Sequence, residues 1–329
     1  MKLLVTGGAG YIGSVVALQL VEAGHEVTVL DNLSKGHERA IPEGTDFVRE
    51  DLLDARALSQ VLDPGYDGVL HFAALSLVGE SVEQPGLYYR TNVAGTLNLL
   101  DAMRAADASQ LVFSSTAAVY GEPEEVPIPE TATTRPTNPY GGSKLAVDQL
   151  IGFYARAHGL SATSLRYFNV AGASGALGED HDPETHLIPL VLKAALGERD
   201  SVEIFGTDYS TPDGTAIRDY IHVEDLSRAH LLALEATDAA EPGEHRVYNL
   251  GNGSGFSVRE VVEVARHVTR RSIEAVEAPR RSGDPPVLVA SSALIREELG
   301  WAPEKPSLEE IVSDAWDWMQ EHPRGYEEG

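Results

Sequence analysis

Residues 7–13 read Gly7-Gly8-Ala9-Gly10-Tyr11-Ile12-Gly13, directly behind Lys2-Leu3-Leu4-Val5-Thr6. A short β-rich run, a turn crowded with glycine and then an apolar helical stretch make the opening of a dinucleotide-binding βαβ unit. The glycines permit a tight turn, let backbone amides approach a pyrophosphate and let the helix lie close on the strand, with its N-terminus facing the phosphates. A lone turn of this kind is as often a plain turn as a phosphate cradle, so the rest of the chain has to carry the reading.

Outward from it, β-rich runs at residues 2–6, 26–31, 45–51, 68–73, 110–116 and 161–170 alternate with helical stretches at 11–23, 55–62, 88–106 and 140–158. That alternation predicts the α/β class, with a Rossmann-type doubly wound parallel sheet over residues 1–170. Beyond 170 the pattern loosens into Gly- and Pro-rich loops at 173–183 and 206–214, with helices expected at 186–196, 224–236, 257–269 and 307–321, two of them started by serine caps. Residues 171–329 are therefore expected to form a smaller C-terminal α/β lobe over the carboxyl ends of the strands. With no repeat and no clear linker, both lobes belong to one compact unit.

The 329 residues include 43% apolar ones and no cysteine, which is ample for a core and excludes disulfides, a thiolate nucleophile and a cysteine-based metal site. Redox chemistry has to come from a bound cofactor, and no metal-ligand pattern is read. A net charge of −26 and a pI near 4.7 argue against nucleic acid or an anionic membrane as partner. An anionic ligand would need local positive charge that defeats the global field. The apolar start at residues 3–5 stops well short of a signal segment and no run approaches a membrane span, so a cytoplasmic place is expected.

The second informative stretch is Tyr140-Gly141-Gly142-Ser143-Lys144. Tyr140 and Lys144, four apart, share one helix face. A tyrosine pKa of about 10 is too high for a base near neutrality; the Lys144 ammonium and the positive nicotinamide of bound NAD would lower it. Ser114-Ser115-Thr116, closing a strand, offers a relay hydroxyl. Alone, the Tyr-Lys spacing is an exposed pair worth about 0.3 kcal/mol; behind a nucleotide turn it reads as an acid/base set. Asp31 closes the second strand 18 residues after Gly13, where a carboxylate accepts ribose hydroxyls and repels a 2′-phosphate, favouring NAD over NADP. Asp51 closes the third strand and fits either the adenine amino group or a solvated strand end.

These motifs, with His71-Phe72-Ala73-Ala74, Arg166-Tyr167-Phe168-Asn169, Arg218-Asp219-Tyr220-Ile221-His222-Val223 and a closing Trp316-x-Trp318, resemble the extended short-chain dehydrogenase/reductases, and among them the UDP-glucose 4-epimerases, over residues 1–326. The resemblance implies reversible C4 epimerisation of UDP-galactose and UDP-glucose on tightly held NAD: Tyr140 takes the C4 proton and NAD the hydride, the 4-keto sugar turns over, and hydride returns to its other face. It implies Thr116 as the hydroxyl partner of Tyr140 and Lys144 on the nicotinamide ribose. Cofactor contacts carried over are Gly7, Gly10, Tyr11, Ile12, Gly13, Asp31, Asn32, Asp51, Leu52, Phe72, Ala73, Ala74, Asn92, Lys144 and Phe168. Thr116, Tyr140, Asn169, His186, Leu187, Phe205, Arg218, Arg281 and Asp284 would meet the UDP-hexose. The two arginines would answer the charge problem by clamping the diphosphate; on the bland reading Phe205 and Leu187 are core and Asp284 pairs Arg281.

The chain departs from the pattern in placing Ala74 where glycine is frequent, Ser76 where a lysine meets the cofactor phosphate, and His186 where some members have asparagine. Leu288 falls at the position that gates N-acetylated sugars, between the bulky residue that excludes and the small one that admits. Rival readings are a 4-epimerase of UDP-N-acetylglucosamine or of UDP-glucuronate or a pentose, and a non-catalytic NAD sensor; Ala117-Ala118 after the hydroxyl residue argues against elimination of water. A homodimer through helices 88–106 and 140–158 is implied, with Leu97, Leu100, Leu145 and Leu150 fitting either that face or the core.

Overall fold

The computed structural model describes residues 1–281 and 284–327. The first half runs β1 (Lys2–Thr6), α1 (Tyr11–Glu22), β2 (Glu26–Asp31), β3 (Asp46–Arg49), α2 (Ala55–Val61), β4 (Gly68–His71), α3 (Val78–Glu83), α4 (Pro85–Tyr88), α5 (Gly95–Ala105), β5 (Gln110–Thr116), α6 (Pro139–His158) and β6 (Ser161–Tyr167). The second runs β7 (Asn169–Ala171), α7 (Leu187–Leu196), β8 (Val202–Phe205), β9 (Ile217–Arg218), β10 (Tyr220–His222), α8 (Val223–Asp238), β11 (His245–Leu250), β12 (Phe256–Ser257), α9 (Val258–Thr269), β13 (Ala275–Ala278), β14 (Val287–Leu288), α10 (Ala293–Leu299) and α11 (Leu308–Glu321).

Seven parallel strands form the large sheet in the order β11-β6-β5-β4-β1-β2-β3. Their side chains alternate between two apolar layers. Leu3 and Val5 pack with Val16 and Leu20 of α1 and Leu226, Ala229 and Ala233 of α8. Leu4, Val69, Leu111 and Phe113 pack on the other face with Leu99 and Met103 of α5 and Val147 and Ile151 of α6. Burial on both faces explains the continuous apolar runs that marked these strands, and each such side chain contributes roughly 1.5–3 kcal/mol. The chain winds from β1 outward to β2 and β3, then crosses to β4. The crevice of a doubly wound sheet opens at that reversal, beyond the carboxyl ends of β1 and β4.

Local departures have physical causes. The expected strand over 161–170 breaks at Phe168, because the Asn169 N–H turns to Asp219 O at 3.0 Å and β7 pairs with β10 instead. The expected helix over 88–106 is interrupted by a π-helical turn at Tyr89–Ala94 that carries Asn92, and α3 was not anticipated. β11 and α8, from beyond residue 170, complete the large sheet and cover its face. Around the second half, α7, α9 and α11 enclose Val191, Val261, Trp316 and Trp318, and a small sheet β12-β9-β14 lies beside them. Of the four leucines that fitted a dimer face, Leu100, Leu145 and Leu150 pack inside the chain, while Leu97 is exposed. Among the described residues no helix is long and apolar enough to cross a membrane.

Candidate active site

Gly10 caps α1 without a side-chain hydrogen bond, so the free N–H groups of its first turn are available to an anion. A Cβ at Gly13 would stand 2.2 Å from Gly7 O, whereas one at Gly10 would meet only that oxygen, at 3.3 Å. Gly13 is thus required by packing, whereas at Gly10 the one close neighbour is that carbonyl oxygen, and the absence of a side chain there lets a pyrophosphate approach the helix start. Asp31 at the end of β2 is buried and receives Ala9 N–H at 3.1 Å and Leu33 N–H at 2.9 Å; burial pushes its pKa up and those amides oppose it. Asn32 donates to Asp51 Oδ2 at 2.8 Å, so the ends of β2 and β3 are tied together. These residues fit NAD.

Other expected cofactor residues serve the frame. The Tyr11 hydroxyl donates to Gly172 O at 2.7 Å, linking α1 to the segment after β7. Asn92 receives Leu75 N–H at 2.9 Å and donates to Leu75 O and Ser143 Oγ, both at 3.0 Å, bracing the loop after β4 against α6. Leu52 lies in the core; Phe72 and Ile12 pack at its edge, as does Ala73 on the other face. Ala74 is half-buried and Ser76 exposed on the loop after β4. Phe168 and Leu288 share a small cluster with Val119, Tyr120 and Ile128.

α6 starts with Asn138 receiving Gly141 N–H at 2.9 Å and Pro139 in the first turn. A Cβ at Gly141 would stand 2.5 Å from Ala118 O, so glycine there lets the helix close on the residues after β5 and sets Tyr140 beside Thr116. Thr116 Oγ1 receives Ala118 N–H at 3.2 Å and faces the Tyr140 phenol, opposing the rise that burial gives its pKa. The three candidate hydroxyls separate: Ser114 pairs with the Tyr167 hydroxyl, Ser115 donates to Asp148 at 3.1 Å, and Thr116 is the one that faces Tyr140.

Lys144 is buried, donates to Ser114 O at 2.8 Å and lies 4.9 Å from the Phe113 ring centre. Burial pulls its pKa down to about 8, opposed by Asp148 one turn on. Burial raises the Tyr140 phenol above its ordinary value and Thr116 opposes that rise, while the Lys144 ammonium donates to the strand carbonyl of Ser114. Sequence reading missed the support beneath, where Arg166 holds Asp148 through Nε and Nη2 at 3.1 and 3.0 Å. Only the four-residue step from Lys144 to Asp148 hinted at it.

In the second half, half-buried Arg218 of β9 pairs with Asp284 and donates to Ile217 O at 2.8 Å. The pairing of Asp284 with Arg281 is therefore corrected; Arg281 lies over the Phe205 ring at 4.0 Å, a cation–π contact, and meets Asp284 only through backbone. Leu288 is in register with Arg218 across β14 and β9. Asn169 opens β7. His186 is the N-cap position of α7, Leu187 follows it against the α7–α9–α11 core, and the His186 ring stands against Glu179 and Glu184 at 2.9 and 3.0 Å.

The chain matches the NAD dependent epimerase/dehydratase family over residues 3–251. The chain belongs to that family. The family match runs from β1 through the end of β11 and so takes in the whole large sheet. The chain is 58% identical to the UDP-glucose 4-epimerase of Streptomyces lividans, over 99% of this chain and 98% of the relative. It superposes with a TM-score of 0.96 on a crystal structure of a UDP-glucose 4-epimerase, 50% identical and covering 100% of both chains. For the UDP-glucose 4-epimerase of Brucella ovis in complex with NAD the values are 0.92 and 47%, over 96% of this chain and 97% of that one. In an epimerase/dehydratase family, the Ala117-Ala118 pair behind Thr116 bears on which chemistry is run, since neither can serve as the acid or base of an elimination.

Proposed function

We propose that this protein interconverts UDP-galactose and UDP-glucose at C4, with NAD as resident cofactor. The observation that carries the reading is the Thr116–Tyr140 hydroxyl pair at the end of β5, set across the crevice from the uncapped start of α1. When bound, NAD supplies reversible hydride transfer at C4. Tyr140 takes the C4 hydroxyl proton as that carbon becomes a ketone and returns it to the alcohol of opposite configuration. Thr116, already receiving the Ala118 N–H, keeps its own proton to donate and steadies the phenolate. Lys144 holds the ribose beside nicotinamide, with Gly10, Asp31, Asn32 and Asp51 along the adenosine and pyrophosphate.

On the substrate side Arg218 and Arg281 take the diphosphate against an acidic surface, and Asn169, His186, Leu187 and Phe205 line its path. Firm hold on UDP and loose hold on hexose lets the keto sugar turn over. The exposed Leu97 of α5 and Phe153 of α6 support pairing of these helices in a homodimer. The experiment is conversion of UDP-galactose to UDP-glucose by the purified protein without added NAD, followed by proton NMR. Product formation supports the reading; no conversion even with NAD supplied defeats it and turns attention to N-acetylated and uronic UDP-sugars.

A further inference from the structure

The loop between β7 and α7 gathers Glu179, His181, Glu184 and His186, the one group of metal-ligating side chains among the described residues whose donor atoms all lie within 4.8 Å of one another. Both imidazoles present Nδ1 to both carboxylates. His186 stands 2.9 Å from Glu179 and 3.0 Å from Glu184; His181 stands 3.2 Å from Glu179 and 3.7 Å from Glu184. A tetrahedral zinc ion with nitrogen and oxygen ligands at about 2.0–2.1 Å has edges of about 3.3 Å between ligands. Three of the four imidazole–carboxylate contacts, at 2.9, 3.0 and 3.2 Å, are close to such an edge, and the fourth, from His181 to the other Glu184 oxygen, is 3.7 Å.

We propose that Glu179, His181, Glu184 and His186 form a site for one divalent transition cation, zinc in the first place. Two imidazoles and two carboxylates are the ligand types such an ion takes, and two carboxylates balance its charge inside the fold. The carboxylates are buried, with side chains 8% and 3% exposed. His181 Nδ1, also buried and facing them, makes no hydrogen bond of good geometry among the described residues. Glu184 Oε1 is oriented by Thr185 N–H and His186 N–H, both at 2.7 Å, the kind of outer support that fixes a ligand.

The loop is also held from outside the site. Lys35 donates to Asp182 O at 2.7 Å, the His37 ring lies 3.0 Å from Asp180 O, and Tyr326 N–H donates to Asp180 Oδ2 at 2.9 Å. An ion here cross-links the loop into the first turn of α7, next to α1 and Tyr11, whose phenol feels Glu179 and Glu184. The site shares His186 with the substrate path proposed above, and its readout does not require turnover.

The full chain, stripped with a chelator and dialysed, is titrated with cobalt(II) and read by visible absorption, then challenged with zinc. Lacking cysteine, it cannot give thiolate bands, so strong absorption reports four-coordinate nitrogen and oxygen ligation. One equivalent per chain is expected, displaced by zinc, weakened more than about 100-fold by His181→Ala and unaltered by His267→Ala, whose exposed ring meets Glu309 at 3.7 Å. Absence of the band, or a band that survives His181→Ala, means the cluster is only a set of ion pairs and overturns the proposal. Should His181→Ala unfold by circular dichroism, Glu179→Gln decides by the same reading.

Discussion

Thr116 stands opposite Tyr140 across the gap between β5 and α6, and its hydroxyl opposes the burial that raises the phenol pKa. If Tyr140 is the proton carrier, Tyr140→Phe lowers kcat by about 10²–10⁴-fold or more while NAD stays bound. Thr116→Val, which keeps the shape and removes the donor, costs about tenfold, the worth of one hydrogen bond of roughly 1.4 kcal/mol. Steady-state rates with NAD occupancy read by absorbance check both; unchanged turnover in Tyr140→Phe removes it from the mechanism.

Gly10 and Gly13 separate cofactor space from packing. Gly13→Ala forces a Cβ to 2.2 Å from Gly7 O and should cost about 1–3 kcal/mol of stability together with NAD. Gly10→Ala meets Gly7 O at 3.3 Å, a tight contact relieved by a small shift, and should cost much less stability than Gly13→Ala, yet lose NAD. Melting curves and released nucleotide distinguish them; equal behaviour of the two variants would sink the distinction.

Lys144 makes stability depend on pH. Its folded pKa near 8 lies below the ordinary 10.5, so between those values the unfolded chain holds a proton that the folded chain does not. Unfolding free energy therefore rises with pH across that window, and below it the penalty of a buried ammonium is present in full. Relative to Lys144→Met, the parent should gain up to about 3 kcal/mol between roughly pH 7.5 and 10.5. A difference in denaturant midpoint that ignores pH counts against the shift.

Arg218 should act on binding rather than on chemistry. Arg218→Met removes the fork that would clamp a diphosphate and leaves Asp284 without its guanidinium partner. KM for the UDP-sugar is expected to rise at least about tenfold with kcat changed little. A fall in kcat at constant KM would place Arg218 elsewhere in the mechanism.

Much of this arrangement was readable in the chain itself. Continuous apolar runs marked strands because a parallel sheet covered on both faces needs them, and α6 was legible from the Tyr140–Lys144 step. The π-helical turn at Asn92 and the break at Phe168 were not, since each depends on a hydrogen-bond partner distant in sequence: Leu75 and Ser143 for one, Asp219 for the other.

Local patterning determined the doubly wound sheet, the glycine turn and the placing of tyrosine and lysine on one helical face, because all of these follow from periodicity and backbone sterics over a few residues. Only the tertiary structure decided which of three adjacent hydroxyls meets Tyr140, that Lys144 turns to Ser114 O rather than to the phenol, and that Asp284 pairs Arg218. Those choices are made by burial and by competition among donors brought together from distant segments, which a one-dimensional pattern does not contain.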